Sequence, residues 1–116
     1  MMRTESGKTA KERAAELLKK MTLREKIGQL NQRLYGFRIF ERGENGVSFG
    51  EEFREEVEKY GGLGTVYGLY RADPWSGRNY ENGLYGKWAV QAYNRLQEYV
   101  LAHSRLKIPA LISTEC

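Results

Sequence analysis

The chain has 116 residues, 41% of them hydrophobic and 29% charged, with only two prolines; this suits one small folded domain or part of one and excludes disorder along its whole length. Its net charge of +4, from 19 Lys and Arg against 15 Asp and Glu, is spread in alternating sign along the helical stretches, which speaks against a nucleic-acid partner. A single cysteine, Cys116, and a single histidine, His103, exclude an internal disulfide and a zinc-ligand set.

The N-terminal stretch "MMRTESGKTAKERAAELLKK" has no apolar signal core, and no run of residues approaches membrane-spanning length. A cytoplasmic protein with no membrane partner is expected. Three helix starts are marked by a Ser or Thr followed three residues later by Glu: Thr9 with Glu12, Thr22 with Glu25, and Ser48 with Glu51. In that spacing each side chain satisfies the other's orphan backbone amide. After the first, Ala10, Ala14, Leu17, Leu18 and Met21 share one face, and Glu16 can pair with Lys20 on the outside. Such an amphipathic helix needs a partner. After the second, Leu23, Ile27 and Leu30 continue a shorter helix despite Gly28, which costs about 1 kcal/mol in a helix interior.

"RLYGFRIFERGENGVSFG" reads as irregular or part extended, and a third helix follows with Phe49, Phe53, Val57 and Tyr60 on one stripe. It should end at Gly61 and Gly62, where a left-handed cap is free to form. "GLGTVYGLY" is a short buried strand, "RADPWSGRNYENGLYG" a long polar loop, and Tyr85 to Arg105 the longest helix, with Ala89, Ala92, Leu96, Tyr99 and His103 recurring at helical spacing. "IPALIS" is a second buried strand. Strand, helix and strand in this order predict a parallel βαβ unit with a right-handed crossover. A lone parallel pair leaves both its edges unpaired, so the unit is expected to open a larger α/β domain that continues beyond Cys116.

In parallel α/β sheets ligands gather at the C-terminal ends of the strands. Two clusters stand there: "YRADPW", Tyr70 to Trp75, and "STEC", Ser113 to Cys116. Asp73 before Pro74 reads as a turn initiator, with Trp75 covering the rim; equally, Arg71 and Asp73 can shape a pocket while Trp75 offers an aromatic face to a sugar. Glu115, past an apolar strand, must find donors in a low-dielectric site, and sugar hydroxyls or a salt bridge would both serve. His103 lies on the face away from the expected site and reads as a packed or capping residue, and Cys116 has no activating partner. The glycines of "GGLG" precede their strand and so do not form a dinucleotide fingerprint; no cofactor is expected.

Three ordered segments, "AAELLKKMTLREKIGQLNQ", "GGLGTVYGLYRADPW" and "YNRLQEYVLAHSRLKIPALISTEC", resemble the N-terminal part of glycoside hydrolase family 3, the β-glucosidase and β-xylosidase family, over roughly residues 10 to 116. The resemblance implies a fold of class α/β: N-terminal helices followed by the first βαβ unit of an incomplete (β/α)8 TIM-type barrel. Residues 1–62 would be the helical lead-in and 63–116 the βαβ unit. A full barrel takes about 250 residues.

The resemblance further implies a retaining exo-glycosidase in carbohydrate catabolism, acting on β-linked oligosaccharides or glycosides. Its aspartate nucleophile and separate acid/base would stand about 5 to 5.5 Å apart. In the family both lie downstream of the segment present, so no catalytic residue is assigned and the chain alone is expected to be inactive. Glu115 matches the family position, often aspartate before a His-Gly pair, that grips hydroxyls of the terminal sugar. The extra methylene of glutamate mildly favours a pentose, by no more than about 1–3 kcal/mol. The expected substrate-binding set is Glu115, Arg71, Asp73 and Trp75, the expected partners being a carbohydrate and the C-terminal remainder of the chain. The competing reading is a small non-enzymatic α/β module that binds a protein or nucleic acid through the basic helix end of Lys19, Lys20, Arg24 and Lys26.

Overall fold

The computed structural model describes residues 7–113. In chain order the elements are helices α1 (Ala10–Lys20) and α2 (Leu23–Gln29), a 3-10 turn (Gly36–Arg38), strands β1 (Phe40–Gly43) and β2 (Gly46–Phe49), α3 (Glu51–Tyr60), β3 (Thr65–Tyr67), α4 (Lys87–His103) and β4 (Leu111–Ser113). The fold is mixed α/β.

Two of the three expected caps form. The Glu12 amide donates to the Thr9 hydroxyl at 3.2 Å, and at α2 the capping box is complete, with Glu25 N to Thr22 Oγ1 at 3.1 Å and Thr22 N to Glu25 Oε1 at 2.8 Å. The third does not: Ser48 lies in β2, and α3 starts after Gly50 with no side-chain cap. The residues around Ser48 are committed to a hairpin, in which Phe40 pairs with Phe49 and Gly43 with Gly46. The stretch expected to be irregular or part extended thus carries a two-stranded sheet. The outer edge of β2 is answered by side chains from α4, Gln91 Oε1 accepting from Val47 N at 2.7 Å and Arg95 Nη1 donating to Val47 O at 2.6 Å.

No residue of α1 is fully buried and Leu18 is 54% exposed, while Leu17 and Met21 are partly buried, so the apolar stripe of this helix is covered only in part. Glu16 pairs with Lys8 rather than with Lys20. The junction of α1 and α2 is tied instead to the far end of α4, where Arg105 donates to Lys20 O at 2.7 Å and to Glu25 Oε1 at 2.8 Å.

The third helix ends as expected, with Gly61 at φ 63° and ψ 35° and the Gly62 amide returning to Val57 O at 2.9 Å. Strand β3 then pairs in parallel with β4, Thr65 opposite Leu111 and Tyr67 opposite Ser113, with α4 between them in sequence. The βαβ unit is present. Its edges differ from the expectation that both stand unpaired. The chain after α2 runs beside β3, the Thr65 amide donating to Asn31 O at 3.3 Å and Tyr35 bridging in parallel to Tyr67. This approach needs Gly64, where a Cβ would stand 2.1 Å from the Gln29 carbonyl oxygen. At the entry of β4, Gln97 binds both the Ala110 amide and its carbonyl, at 2.9 and 2.7 Å, as a neighbouring strand would.

The core lies between α3, α4 and the two small sheets, with Leu34, Phe40, Val47, Phe53, Val57, Val66 and Leu96 all at most 2% exposed. The inner stripe of α4 is Ala92, Leu96 and Val100. Tyr99 is only partly buried and His103 is exposed, because Val100 takes the place facing the core. Among the described residues no helix is long and apolar enough to cross a membrane.

Candidate functional site

Strand β3 delivers its C-terminal end to a sharp turn. Gly68 donates to Ser113 O at 2.8 Å, joining the ends of the two parallel strands, and Arg71 N closes back on Gly68 O at 3.2 Å. The "RADPW" segment therefore starts where ligands collect in parallel sheets.

Three of the four expected site residues come together there. Arg71 Nε donates to Asp73 Oδ2 at 2.8 Å, and its Nη1 donates to the Tyr67 hydroxyl at 2.9 Å. The guanidinium carbon lies 4.5 Å from the centre of the Trp75 ring, a cation–π arrangement. Glu115 lies outside the described residues.

The Asp73 carboxylate forms the expected turn and at the same time meets Arg71. Its Oδ1 accepts from the Ser76 amide at 2.8 Å, while the Ser76 hydroxyl donates to Asp73 O at 3.0 Å, so the Asp-Pro turn is formed. Its other oxygen meets Arg71. The Ser76 amide foremost, together with the Arg71 guanidinium, holds the carboxyl below its ordinary range against partial desolvation. A carboxylate kept ionised and doubly bonded suits binding and positioning, not proton transfer.

Trp75 is 58% exposed, yet it is held edge-on by Phe37 at 5.1 Å and Tyr35 at 5.7 Å between ring centres. Those two rings arrive from the 3-10 turn, which can lie against the loop only because Gly36 has no side chain: a Cβ there would stand 2.4 Å from the Leu69 nitrogen. Neither Tyr35, Phe37 nor Tyr67 is marked as a site residue by the sequence. The available signal was the clustering of aromatics in "LYGFRIF", which by itself reads as core.

Two further arginines fix the loop between β3 and α4. Arg78 donates to Phe37 O at 2.9 Å, Asn82 O at 3.0 Å and Phe40 O at 2.7 Å. Burial lowers its pKa from the ordinary arginine value, but a guanidinium remains a cation throughout the working pH range. Arg42, from β1, donates to Gly83 O at 2.9 Å and to the Glu81 carbonyl, and its guanidinium carbon lies 4.0 Å from the centre of the Trp88 ring. The rim is thus anchored rather than loose.

His103 sits away from this cluster at the end of α4, its Nδ1 2.9 Å from Tyr99 O and its ring 4.2 Å from that of Tyr99. Among the described residues no group of three His, Cys, Asp or Glu side chains converges to hold a metal ion. What the cluster offers is an exposed aromatic face beside an ordered Arg–Asp pair, an arrangement that can receive a ring and its hydroxyls. No protein-family model, curated protein or solved structure matches the chain.

Proposed function

We propose that this chain is the N-terminal part of a retaining exo-acting β-glycosidase of the glycoside hydrolase family 3 type, cleaving β-glucosides or β-xylosides, and that Trp75, Arg71 and Asp73 form the substrate-binding rim. The observation that carries the reading is the Arg71–Asp73–Trp75 cluster at the C-terminal end of the first strand of a parallel βαβ unit. In this reading the chain supplies the first two strands of a (β/α)8 barrel, and Glu115 would complete the grip on the terminal sugar.

The rim binds and does not itself cleave. Arg71 is oriented by Tyr67 and Asp73, Trp75 presents its ring to the apolar face of a pyranose, and the nucleophile and acid/base come from outside the chain. The test is a ligand-observed NMR titration of the chain with methyl β-D-xyloside and methyl β-D-glucoside. Binding of either is expected, and Trp75→Ala should weaken it about fivefold, the scale of one aromatic contact of ~1 kcal/mol. No release of nitrophenol from a nitrophenyl β-xyloside is expected. Absence of binding to both glycosides would sink the reading; turnover by the chain alone would overturn the binding-only role of the cluster.

A second reading, a binding module with a protein or nucleic-acid partner, is favoured by one observation: Leu18, Leu23, Ile27 and Leu30 are all at least 48% exposed, beside Lys19, Lys20, Arg24 and Lys26. It predicts association that weakens steeply with salt, through that face and not through Trp75.

A further inference from the structure

At the end of the parallel pair opposite the Arg71–Trp75 cluster, a groove of about 460 Å³ runs between α1 and the chain that enters β4. Its floor is apolar, made of Leu17 from α1 and of Leu106, Ile108 and Pro109 from the entering chain. Its rim is basic: Lys8, Arg13, Lys20 and Lys107 stand against a single carboxylate, Glu16. Helix geometry sets the spacing on one side. Arg13, Leu17 and Lys20 share a face of α1, with the two cations about 10 Å apart along the axis on either side of the leucine.

Both walls are held without a ligand. Arg105 donates to Lys20 O at 2.7 Å and so ties the C-terminal end of α1 to the entering chain. That chain is fixed in turn on Ser104, whose carbonyl accepts from the Lys107 amide at 3.0 Å and whose hydroxyl accepts from the Ile108 amide at 3.0 Å. Lys107 is the only non-glycine at positive φ, 57°, among the described residues, and its Nζ donates to Leu101 O at 3.1 Å. An ammonium has three donors, so others remain for a ligand. A site that does not have to order its walls loses less affinity on binding.

The charges select the occupant. Glu16 is engaged by Lys8, whereas among the described residues Arg13 and Lys20 form no ion pair. Cations in excess around an apolar floor fit a ligand that carries carboxylates and an apolar side chain to insert between them. A bilayer would need a protruding apolar face, and a nucleic-acid strand would leave the recessed floor unused. An extended chain rises about 3.3 Å per residue, so acidic side chains three residues apart match the separation of Arg13 and Lys20. We infer that this groove docks an extended acidic segment of a partner protein, with an apolar side chain between its carboxylates seated on Leu17 and Ile108. The groove lies outside the Arg71–Trp75 rim and shares only Lys20 with the basic face of the second reading, so it depends on neither.

The experiment is fluorescence anisotropy of the full chain with the labelled peptide EELEEFEE and with EEGEEGEE, which has the same charge and no apolar side chain. The first should bind at least about tenfold more tightly than the second, and its affinity should fall severalfold as salt rises from ~0.05 M to ~0.5 M. Arg13→Gln with Lys20→Gln should weaken it about fivefold. Lys11→Gln with Lys59→Gln, which removes two exposed cations outside the groove, should leave it within about twofold. All four side chains are exposed, and a thermal melt of each variant verifies that it folds. No binding of EELEEFEE, equal affinity for the two peptides, or equal weakening by the two pairs of substitutions overturns the inference. Tighter binding of a mixed-sequence DNA oligonucleotide than of EELEEFEE overturns it as well.

Discussion

Arg78 shows how much of the candidate site depends on a single side chain. Its guanidinium satisfies three backbone carbonyls from two separate segments. Arg78→Met would leave those acceptors without donors, at a cost of about 2–4 kcal/mol by urea denaturation. Arg78→Lys should recover little, since an ammonium cannot span the same fork. Glu56 is the other residue whose chemistry reaches the whole fold. It is 3% exposed; burial pushes its carboxyl up, but hydrogen bonds from Arg33 at 2.7 Å and Asn31 at 3.2 Å outweigh that, and its pKa ends below the ordinary 4.5. A carboxyl depressed in the folded state contributes stability that is fully present above about pH 4.5 and is lost as pH falls through the folded value. Thermal melts from pH 7 down to pH 3 should therefore show a decline beginning near pH 4.5, shallower in Glu56→Gln. The difference at neutral pH should be about 1 kcal/mol, at the low end for a charged hydrogen bond because Arg33 is 70% exposed and screened.

At the scale of elements, the decisive contacts are those where backbone meets backbone. The segment after α2 lies against the entry of β3 at Gly64, and a methyl group there has nowhere to go, since its neighbour is the Gln29 carbonyl and not a movable side-chain tip. Gly64→Ala should cost about 1–3 kcal/mol by overpacking and lower the melting temperature accordingly. An alanine at Gly43, where a Cβ meets nothing within 4 Å, is the control and should leave the melt nearly unchanged. The helices α2 and α3 were legible in outline because their faces repeat at 3.6 residues and their ends carry glycine or a capping pair. The hairpin was hidden by a rival local signal. Ser48 with Glu51 satisfies the spacing of a capping box, but pairing of Phe40 with Phe49 and the bonds from Gln91 and Arg95 hold that stretch as a strand.

For the molecule as a whole, the decisive feature is its sheet edge. Strand β4 pairs with β3 on one side, and Leu111 on it is 70% exposed. An exposed apolar edge strand is a template for pairing with another chain. In the glycosidase reading that other strand belongs to the same barrel. The isolated chain should then self-associate with rising concentration, as measured by light scattering. Leu111→Lys should suppress this without shifting the midpoint of unfolding by more than about 0.5 kcal/mol, as for other surface substitutions. Equal scattering from both forms would assign the association to another surface, the exposed Leu18, Leu23, Ile27 and Leu30 being the alternative.

The sequence by itself determined what is written within a few residues: the caps at Thr9 and Thr22, the αL end at Gly61, the order strand, helix, strand, and the turn at Asp73. These depend on spacings of three or four positions and on backbone freedom, so no distant partner is needed to form them. It also located "RADPW" at a strand end, because strand direction follows from the parallel crossover. Only the tertiary structure decided that Tyr35 and Phe37 clasp Trp75, that Tyr67 steadies Arg71, that Arg78 and Arg42 pin the loop to β1, and that α1 is covered only in part. Most of those contacts join residues about 40 positions apart. A polar or aromatic side chain carries no local mark of its distant partner; that choice is made when the core closes and each buried carbonyl must find a donor.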